Sequence, residues 1–496
     1  KSIEIKIPRT MSTQHPDNAL IPFFANNAVL KGDDEIKEAF YAFSNLGMQE
    51  IMWDAEGKEA DDFVIRKLIT DYQSFFEKHR IGKDIFITIR IPNPQYEKAE
   101  AKILLETLES VPRSYDTAKL FYGNGNYPPI FEVIVPMADE AIIKKIYDYY
   151  KNIVIGKENF KFLDGSSLTV ENWIGEFNPK RINVIPLFED IPSMLNADKT
   201  LKAYLKGKDV KYQRVFLARS DPAMNHSSVA VILALHIALD RLYKLQEELN
   251  LPIYPILGSG SAPFRGRLTP QTVDYILSKY PSIATFTIQS AFKYDFPVAE
   301  VQEAIKKINE TPIGKPMPVE HPERALKIIK KISKEYQKQI QILAPLINEI
   351  AKFVPSRRMR KLHTGLFGYS RELKKGVSLP RVISFCAVLY SMGLPPDIIG
   401  INALSEEDRE IVRDIYPRFD DGLKETLSFW NPEVLKIIPA KLRVPIKSIV
   451  DSFEFETNKA HLELSSELIE SIKSRKFGTH MTDLIIRSGI VRGFLG

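Results

Sequence analysis

The sequence predicts an α/β fold, a (β/α)8 barrel of the TIM type with additional helices, mainly C-terminal. Three observations predict it. Apolar strand-like runs alternate with longer helical patterns from about residue 47 to 378. The runs are apolar on both faces, as parallel strands covered by helices must be. Three of them, Ile85-Phe-Ile-Thr-Ile-Arg90, Ile182-Asn-Val-Ile-Pro-Leu-Phe-Glu189 and Val215-Phe-Leu-Ala-Arg-Ser-Asp221, stop on a side chain with chemistry. In such a barrel the reactive residues stand at the carboxyl ends of the strands.

Taken in order, Gln49-Glu-Ile-Met-Trp-Asp54 reads as a strand followed by a helix over 61–78. The segment 84–90 is followed by a helix over 95–108, and 130–136 by one over 141–155. Strands are then expected over 181–189, over 214–219 with a long helix 227–249, over 253–257, and over 283–289 with a helix 298–309. A long amphipathic stretch, 322–353, precedes the last strand, placed near Thr364-Gly-Leu-Phe-Gly368. From Leu379 the pattern turns helical. No Gly, Ser or Pro-rich linker and no internal repeat interrupts it, so residues 1–496 read as a single domain, with a barrel over roughly 47–378 and a helical extension over roughly 379–496.

Composition narrows the class. A hydrophobic share of 44% without low-complexity segments excludes disorder. The 68 basic and 63 acidic residues are interspersed, so the net charge of +5 does not describe a nucleic-acid-binding face, and no nucleic acid is expected as a partner. The longest apolar runs, 228–239 and 382–392, fall short of the roughly 18 residues a membrane span needs, so no membrane association is expected. The amino-terminal stretch lacks the apolar core of a secretory leader, and the single cysteine, Cys386, lies in an apolar run; a cytoplasmic protein with a core cysteine is expected.

Four features carry candidate chemistry. His15 precedes a proline in the polar stretch Thr10-Met-Ser-Thr-Gln-His-Pro-Asp-Asn18, where the backbone is extended or turning, and an imidazole there serves as an acid or base near neutral pH. Glu189 and Asp221, at the ends of two strands, are hard oxygen ligands of the kind Mg2+ or Mn2+ accepts while keeping positions open for substrate; the competing reading makes Glu189 and Asp190 helix-start acids and Asp221 the cap of the helix that begins after Pro222. Gly258-Ser-Gly-Ser-Ala-Pro-Phe-Arg-Gly-Arg267 joins glycines, which admit an anion close to the backbone, to arginines that clamp phosphate or carboxylate, and it fits no dinucleotide or Walker pattern. Arg357, Arg358 and Arg360 are read as surface or subunit-contact residues. On these features alone, another metal-dependent barrel enzyme, a lyase or a mutase, remains open, and so, more distantly, does a non-catalytic polyanion-binding protein.

The order of these segments resembles the phosphoenolpyruvate carboxylase family, in its short archaeal form, over almost the whole chain. Ser12-Thr-Gln-His-Pro-Asp17 is similar to the family's Thr-Ala-His-Pro-Thr-Glu, which implies that His15 is the catalytic histidine. Ile87-Thr-Ile-Arg90 resembles Leu-Asp-Ile-Arg, implying that Arg90 holds the reacting centre. Pro186-Leu-Phe-Glu189 and Ala218-Arg-Ser-Asp221 resemble the segments that supply two metal ligands, implying Mg2+, or Mn2+, on Glu189 and Asp221. The 258–266 loop stands where the family's mobile Gly-Arg-Gly-Gly loop lies. Its first arginine is lost here, leaving Arg265, with Gly258, Gly260 and Gly266 as substrate-binding positions. Thr285-Phe-Thr-Ile-Gln289 and Phe292-Lys-Tyr294 look like the Thr-Glu-Gln strand and Lys-Tyr pair, and Gly368-Tyr-Ser-Arg371 with Leu379-Pro-Arg381 resembles two arginine-bearing segments. Gln289, Arg371 and Arg381 join the expected site on that ground. The resemblance implies a carbon–carbon lyase that joins phosphoenolpyruvate and bicarbonate into oxaloacetate and phosphate, working as a homo-oligomer, either tetramer or dimer.

Overall fold

A computed structural model describes residues 6–55, 60–359, 372–373 and 377–496. Eight parallel strands close into a barrel in chain order: β1 (Thr10–Ser12), β2 (Glu50–Asp54), β3 (Phe86–Arg90), β4 (Glu132–Val135), β5 (Asn183–Phe188), β6 (Gln213–Ala218), β7 (Ile253–Gly258) and β8 (Thr285–Ile288), with β8 pairing back onto β1. Seven of these match the expected runs. The eighth corrects the sequence reading: the ring is closed by Thr10–Ser12 and not by a segment near 364–368, which lies outside the described residues. The barrel therefore starts at Thr10 and is complete at Ile288, and the helical part begins well before 379. Three residues are too few for a strand periodicity to show.

Alternation along the strands decides what faces inward. Met11, Met52, Ile134, Ile185, Leu187, Phe216 and Ile256 form a separate apolar cluster inside the barrel, while their sequence neighbours, such as Ile51, Trp53, Val133, Val184 and Leu217, pack outward against helices. One step below the inner cluster, at the amino ends of the strands, the inward residues are charged. Arg214 donates to both oxygens of Glu50 (2.8 and 2.7 Å) and to Thr285 Oγ1 (3.0 Å), and lies 3.5 Å from Glu132. Thr88 and Tyr212 donate to Glu50 and Glu132. Burial opposes the charge on Arg214, but Glu50 and Glu132 outweigh it and raise its pKa. Arg214→Met leaves two buried carboxylates without their cation, so it costs about 3–5 kcal/mol in urea unfolding. Because this floor lies at the end of the barrel away from the strand termini that carry the chemistry, kcat at low temperature stays within about twofold.

Helices cover the ring. Ser228–Leu249 is buried along its first three turns because it runs between the barrel and the helix Pro322–Ala351, which explains the apolar run 228–239. Val382–Ser391, with Cys386 fully buried, packs between Pro322–Ala351 and Thr479–Arg492. Hydrogen bonds tie this helical layer to the barrel mouth, among them Phe264 N to Tyr390 Oη (3.0 Å) and Leu495 N to the Asp17 carbonyl (2.7 Å). Among the described residues no single helix is long and apolar enough to cross a membrane.

Candidate active site

The same alternation, carried one step above the apolar cluster, brings Thr13, Asp54, Arg90, Glu189, Gly258 and Gln289 to the carboxyl end of the barrel on its inner face. Arg90 is 8% exposed and is gripped by Asp54 in a two-pronged pair, Nε to Oδ1 at 3.0 Å and Nη2 to Oδ2 at 2.5 Å. Asp54 is in turn fixed by Gln14, whose Oε1 accepts its backbone N–H (3.0 Å). The sequence reading passed over Asp54, although it ends its strand as Arg90 does.

His15 follows β1 directly. Thr13 N extends the ladder to the Ile288 carbonyl, and Nδ1 of His15 lies 2.9 Å from Thr13 Oγ1. The imidazole is half-buried, and the His15 carbonyl accepts the N–H groups of Asp17 and Ser290. Lys293, from the helix Ser290–Tyr294, braces this turn through Ser12 Oγ (2.8 Å) and the Thr13 carbonyl (3.1 Å).

Behind Lys293 lies a buried network that corrects the reading of the basic cluster. Arg357 and Arg358 are not surface residues. Arg358 Nη2 donates to both oxygens of Glu38 (2.9 Å each) and Nη1 lies 3.4 Å from Glu35, while Arg357 donates to the Ala19 carbonyl (2.7 Å). Glu35 and Glu38, three apart on the helix Asp33–Ser44, share one buried face, and carboxylates in such a place require a cation. Arg360 lies outside the described residues. Burial pushes the Glu38 carboxyl up, but Arg358 and Lys293 outweigh it and bring it to about 2 from 4.5. The stability it contributes is present above pH 4.5 and is lost as pH falls toward about 2. Acid titration of Glu38→Gln, followed by circular dichroism, shows a shallower loss of stability over that window than the parent chain.

Glu189 and Asp190 divide their work. Asp190 caps the helix Ile191–Leu195, accepting Ser193 N at 2.7 Å, so the helix-start reading belongs to Asp190. Glu189 faces the barrel mouth, with Oε2 accepting the N–H of Met137 (3.0 Å), a residue held at φ 48° at the end of β4. Asp221 lies in the first turn of the helix Ser220–His226, whose N-cap is Arg219. The β5–β6 register pairs Phe188 with Leu217; Glu189 directly follows the first and Asp221 lies four residues after the second. These two carboxylates, in the segments that follow neighbouring strands, are hard oxygen donors of the kind a divalent cation takes together with substrate and water oxygens; no group of three or more His, Cys, Asp or Glu that could hold a metal occurs among the described residues.

The glycine-rich loop differs from an open phosphate cradle. Arg265 is 1% exposed and folds back into its own loop, donating to Asp17 Oδ2 (3.0 Å), Gln289 Oε1 (2.5 Å), Ser220 Oγ (3.2 Å) and the Gly496 carbonyl (3.1 Å). A Cβ on Gly260 would stand 2.5 Å from its Nη1, and Gly266, at φ +123°, passes too close to Ser259 for any side chain. Gly258 is tight against the Phe216 ring for the same reason. Arg265 and Gln289 thus come together as one unit that joins this loop to the His15 turn. Arg381 is half-buried and immediately precedes the helix Val382–Ser391, and Arg371 lies outside the described residues.

Residues 7–496 match the family model described as phosphoenolpyruvate carboxylase. Among curated proteins, the chain is 48% identical to phosphoenolpyruvate carboxylase of Methanospirillum hungatei over 99% of its own length and 100% of the relative's. It is 48% identical to that of Methanothermobacter thermautotrophicus, with the same two coverages. It is 49% identical to that of Pyrococcus furiosus over 88% of this chain and 91% of the other. A chain that matches this family model over residues 7–496, closes an eight-stranded barrel and is 48% identical to two such relatives over 99% of its own length belongs to the phosphoenolpyruvate carboxylase family.

Proposed function

We propose that the family's reaction, addition of bicarbonate to phosphoenolpyruvate to give oxaloacetate and phosphate, runs at this barrel mouth on His15, Arg90, Glu189 and Asp221. The observation that supports the proposal is the inward register, which brings Arg90, paired to Asp54, and Glu189 to the carboxyl end of the barrel, with His15 on the turn after β1 and Asp221 in the helix after β6. Glu189 and Asp221 would hold a divalent cation, Mg2+ or Mn2+, whose charge stabilises a developing enolate oxygen. Arg90, oriented by Asp54, presents its guanidinium to the phosphoryl or carboxylate oxygens of the substrate. Bicarbonate oxygen attacks phosphorus, the bond from phosphorus to the enol oxygen breaks, and carboxyphosphate and pyruvate enolate result. With Nδ1–H donating to Thr13 Oγ1, His15 takes the carboxyphosphate proton at Nε2; cleavage to CO2 and phosphate follows, and the enolate carbon attacks CO2. Arg265 and the loop around it shield the enolate from water, which would otherwise protonate it to pyruvate. Arg371 and Arg381 belong to the same reading as further anion-binding groups.

The direct test follows oxaloacetate through malate dehydrogenase and NADH, with Mg2+ and with or without bicarbonate. The proposal expects a bicarbonate-dependent signal; pyruvate appearing regardless of bicarbonate would replace carboxylation with enolate protonation. Asp54→Asn removes the charge that aims Arg90 but keeps its size, and a hydrogen bond to a charged group is worth about 1.5–3 kcal/mol. Its kcat/KM for phosphoenolpyruvate is therefore expected to fall about 10- to 100-fold, measured by the same assay. A homo-oligomeric assembly, tetramer or dimer, in the cytoplasm completes the proposal, and sedimentation velocity reads the subunit count.

A further inference from the structure

A cavity of about 50 Å3 lies behind the glycine-rich loop, lined by Arg219, Ser228, Gly266, Arg267, Tyr280 and Asp397 among others, and the reaction above does not use it. Its polar lining is unusual in charge. Arg219 is 3% exposed, yet its guanidinium bonds only neutral oxygens, Nη1 to the Phe264 carbonyl (3.0 Å) and Nη2 to Ser228 Oγ (2.9 Å), and no carboxylate lies within salt-bridge distance of it among the described residues. A guanidinium does not give up its proton when buried, so a charge in this position normally has an anionic partner. Burial lowers the pKa of Arg219, and the tyrosines around it and Asp397 across the cavity offset this only in part. Arg267 reaches the same cavity from a backbone at φ 58°, a conformation that costs energy in a residue other than glycine, and its one ion pair is with Glu425, which is 53% exposed.

The third charged group is Asp397, 6% exposed, whose Oδ2 accepts hydrogen bonds from Tyr390 and Thr426. Two guanidinium groups with a serine and a tyrosine hydroxyl supply donors to an anion, whereas a carboxylate in the same lining repels one unless the anion brings a proton of its own. A water needs about 10–15 Å3 of such volume, so the cavity accommodates about four atoms of that size, the scale of a small oxyanion. From these features we infer that this cavity binds a small oxyanion that carries a proton, of the hydrogen phosphate or hydrogencarbonate kind, with Arg219 and Arg267 on its oxygens and Asp397 on its hydrogen. The site lies on the back of the loop: Arg219 holds the Phe264 carbonyl, and the next residue, Arg265, holds Asp17 and Gln289 on the front. The proposed reaction consumes one such anion and releases the other, and the inference rests on that reading only for this link.

Calorimetric titration of the intact chain with inorganic phosphate at neutral pH, with and without phosphoenolpyruvate and in the absence of bicarbonate, tests it. Two phosphate-binding events are expected; phosphoenolpyruvate, too large for the cavity, displaces one and leaves the other. The persisting event weakens at least about tenfold in Arg267→Met, and sulfate, unprotonated at this pH, does not reproduce it. Titration with bicarbonate against that event tells which of the two anions the cavity prefers. A single phosphate event fully displaced by phosphoenolpyruvate, an unaltered second event in Arg267→Met, or equal binding of sulfate overturns the proposal. So does a crystal grown in phosphate that shows only water between Arg219 and Arg267, a result that depends on no variant. If phosphoenolpyruvate displaces neither event, the reading of the barrel mouth fails while the cavity site stands.

Discussion

His15→Asn is expected to abolish oxaloacetate formation while leaving part of the bicarbonate-dependent phosphate release. The reason is the point at which the histidine enters the sequence of steps. In the proposed reaction, attack of bicarbonate on phosphorus needs positive charge around the phosphoryl group, which Arg90 and a cation on Glu189 and Asp221 would provide without His15. Removal of the carboxyphosphate proton needs a base, the role proposed for His15, whose Nδ1 lies against Thr13 Oγ1 on a turn braced by Lys293. An asparagine amide keeps a hydrogen bond to Thr13 but accepts no proton. General-base loss costs about 10²–10⁴-fold, so oxaloacetate measured through malate dehydrogenase falls by that factor while phosphate, measured separately, falls less. Equal loss of both products would move His15 to the phosphoryl-transfer step, and unchanged oxaloacetate formation would remove it from the mechanism.

The strands that could be read from the sequence were those long enough to show a pattern. β2 through β8 each stand in a run of apolar residues bounded by turn-forming ones, and their ends pointed to Arg90 and Glu189. Thr10–Ser12 escaped because three residues with polar side chains at both ends carry no period; only the pairing of Thr10 with Phe286 and Met11 with Glu50 reveals a strand. With it went the knowledge that His15 follows a barrel strand as Arg90 and Glu189 do. Asp54 was missed for a different reason. A lone aspartate at a strand end has many ordinary uses, and its role appears only when β2 and β3 pair in register and set it beside Arg90. Arg358 was misread because charge runs are usually solvated, and nothing in the local sequence shows that Glu35 and Glu38, over 300 residues earlier, are buried against it. Arg265 is the intermediate case. Its loop was legible as unusual, but that the arginine folds back onto Asp17 and Gln289, with Gly260 leaving room for it, is visible only in the fold. Long-range ion pairs are the part of a site that sequence periodicity does not encode.

Glu189→Gln carries the second large effect and separates charge from shape. Glutamine matches glutamate in size, and its amide oxygen accepts the Met137 N–H that Glu189 Oε2 accepts now, so the strained turn at φ 48° keeps its partner. Stability is therefore expected to stay within about 0.5–1.5 kcal/mol of the parent, the worth of an ordinary hydrogen bond. The carboxylate charge, by contrast, is half of the anionic pair proposed to hold the cation, and Asp221 alone offers a single hard ligand. Mn2+ binding, read by electron paramagnetic resonance without any turnover, is expected to weaken by at least about 100-fold, the scale on which metal sites respond to lost ligands. Oxaloacetate formation falls with it and recovers only partly at high metal concentration, because the enolate oxygen loses its charge partner in the transition state. A variant that binds Mn2+ as the parent does would place the cation elsewhere, on Asp221 with ligands beyond this pair, whatever its activity. Loss of Mn2+ binding with unfolding would instead show that Glu189 serves the fold through Met137 more than it serves the cation. Glu189→Asp distinguishes that case by keeping the charge while shortening the reach to Met137.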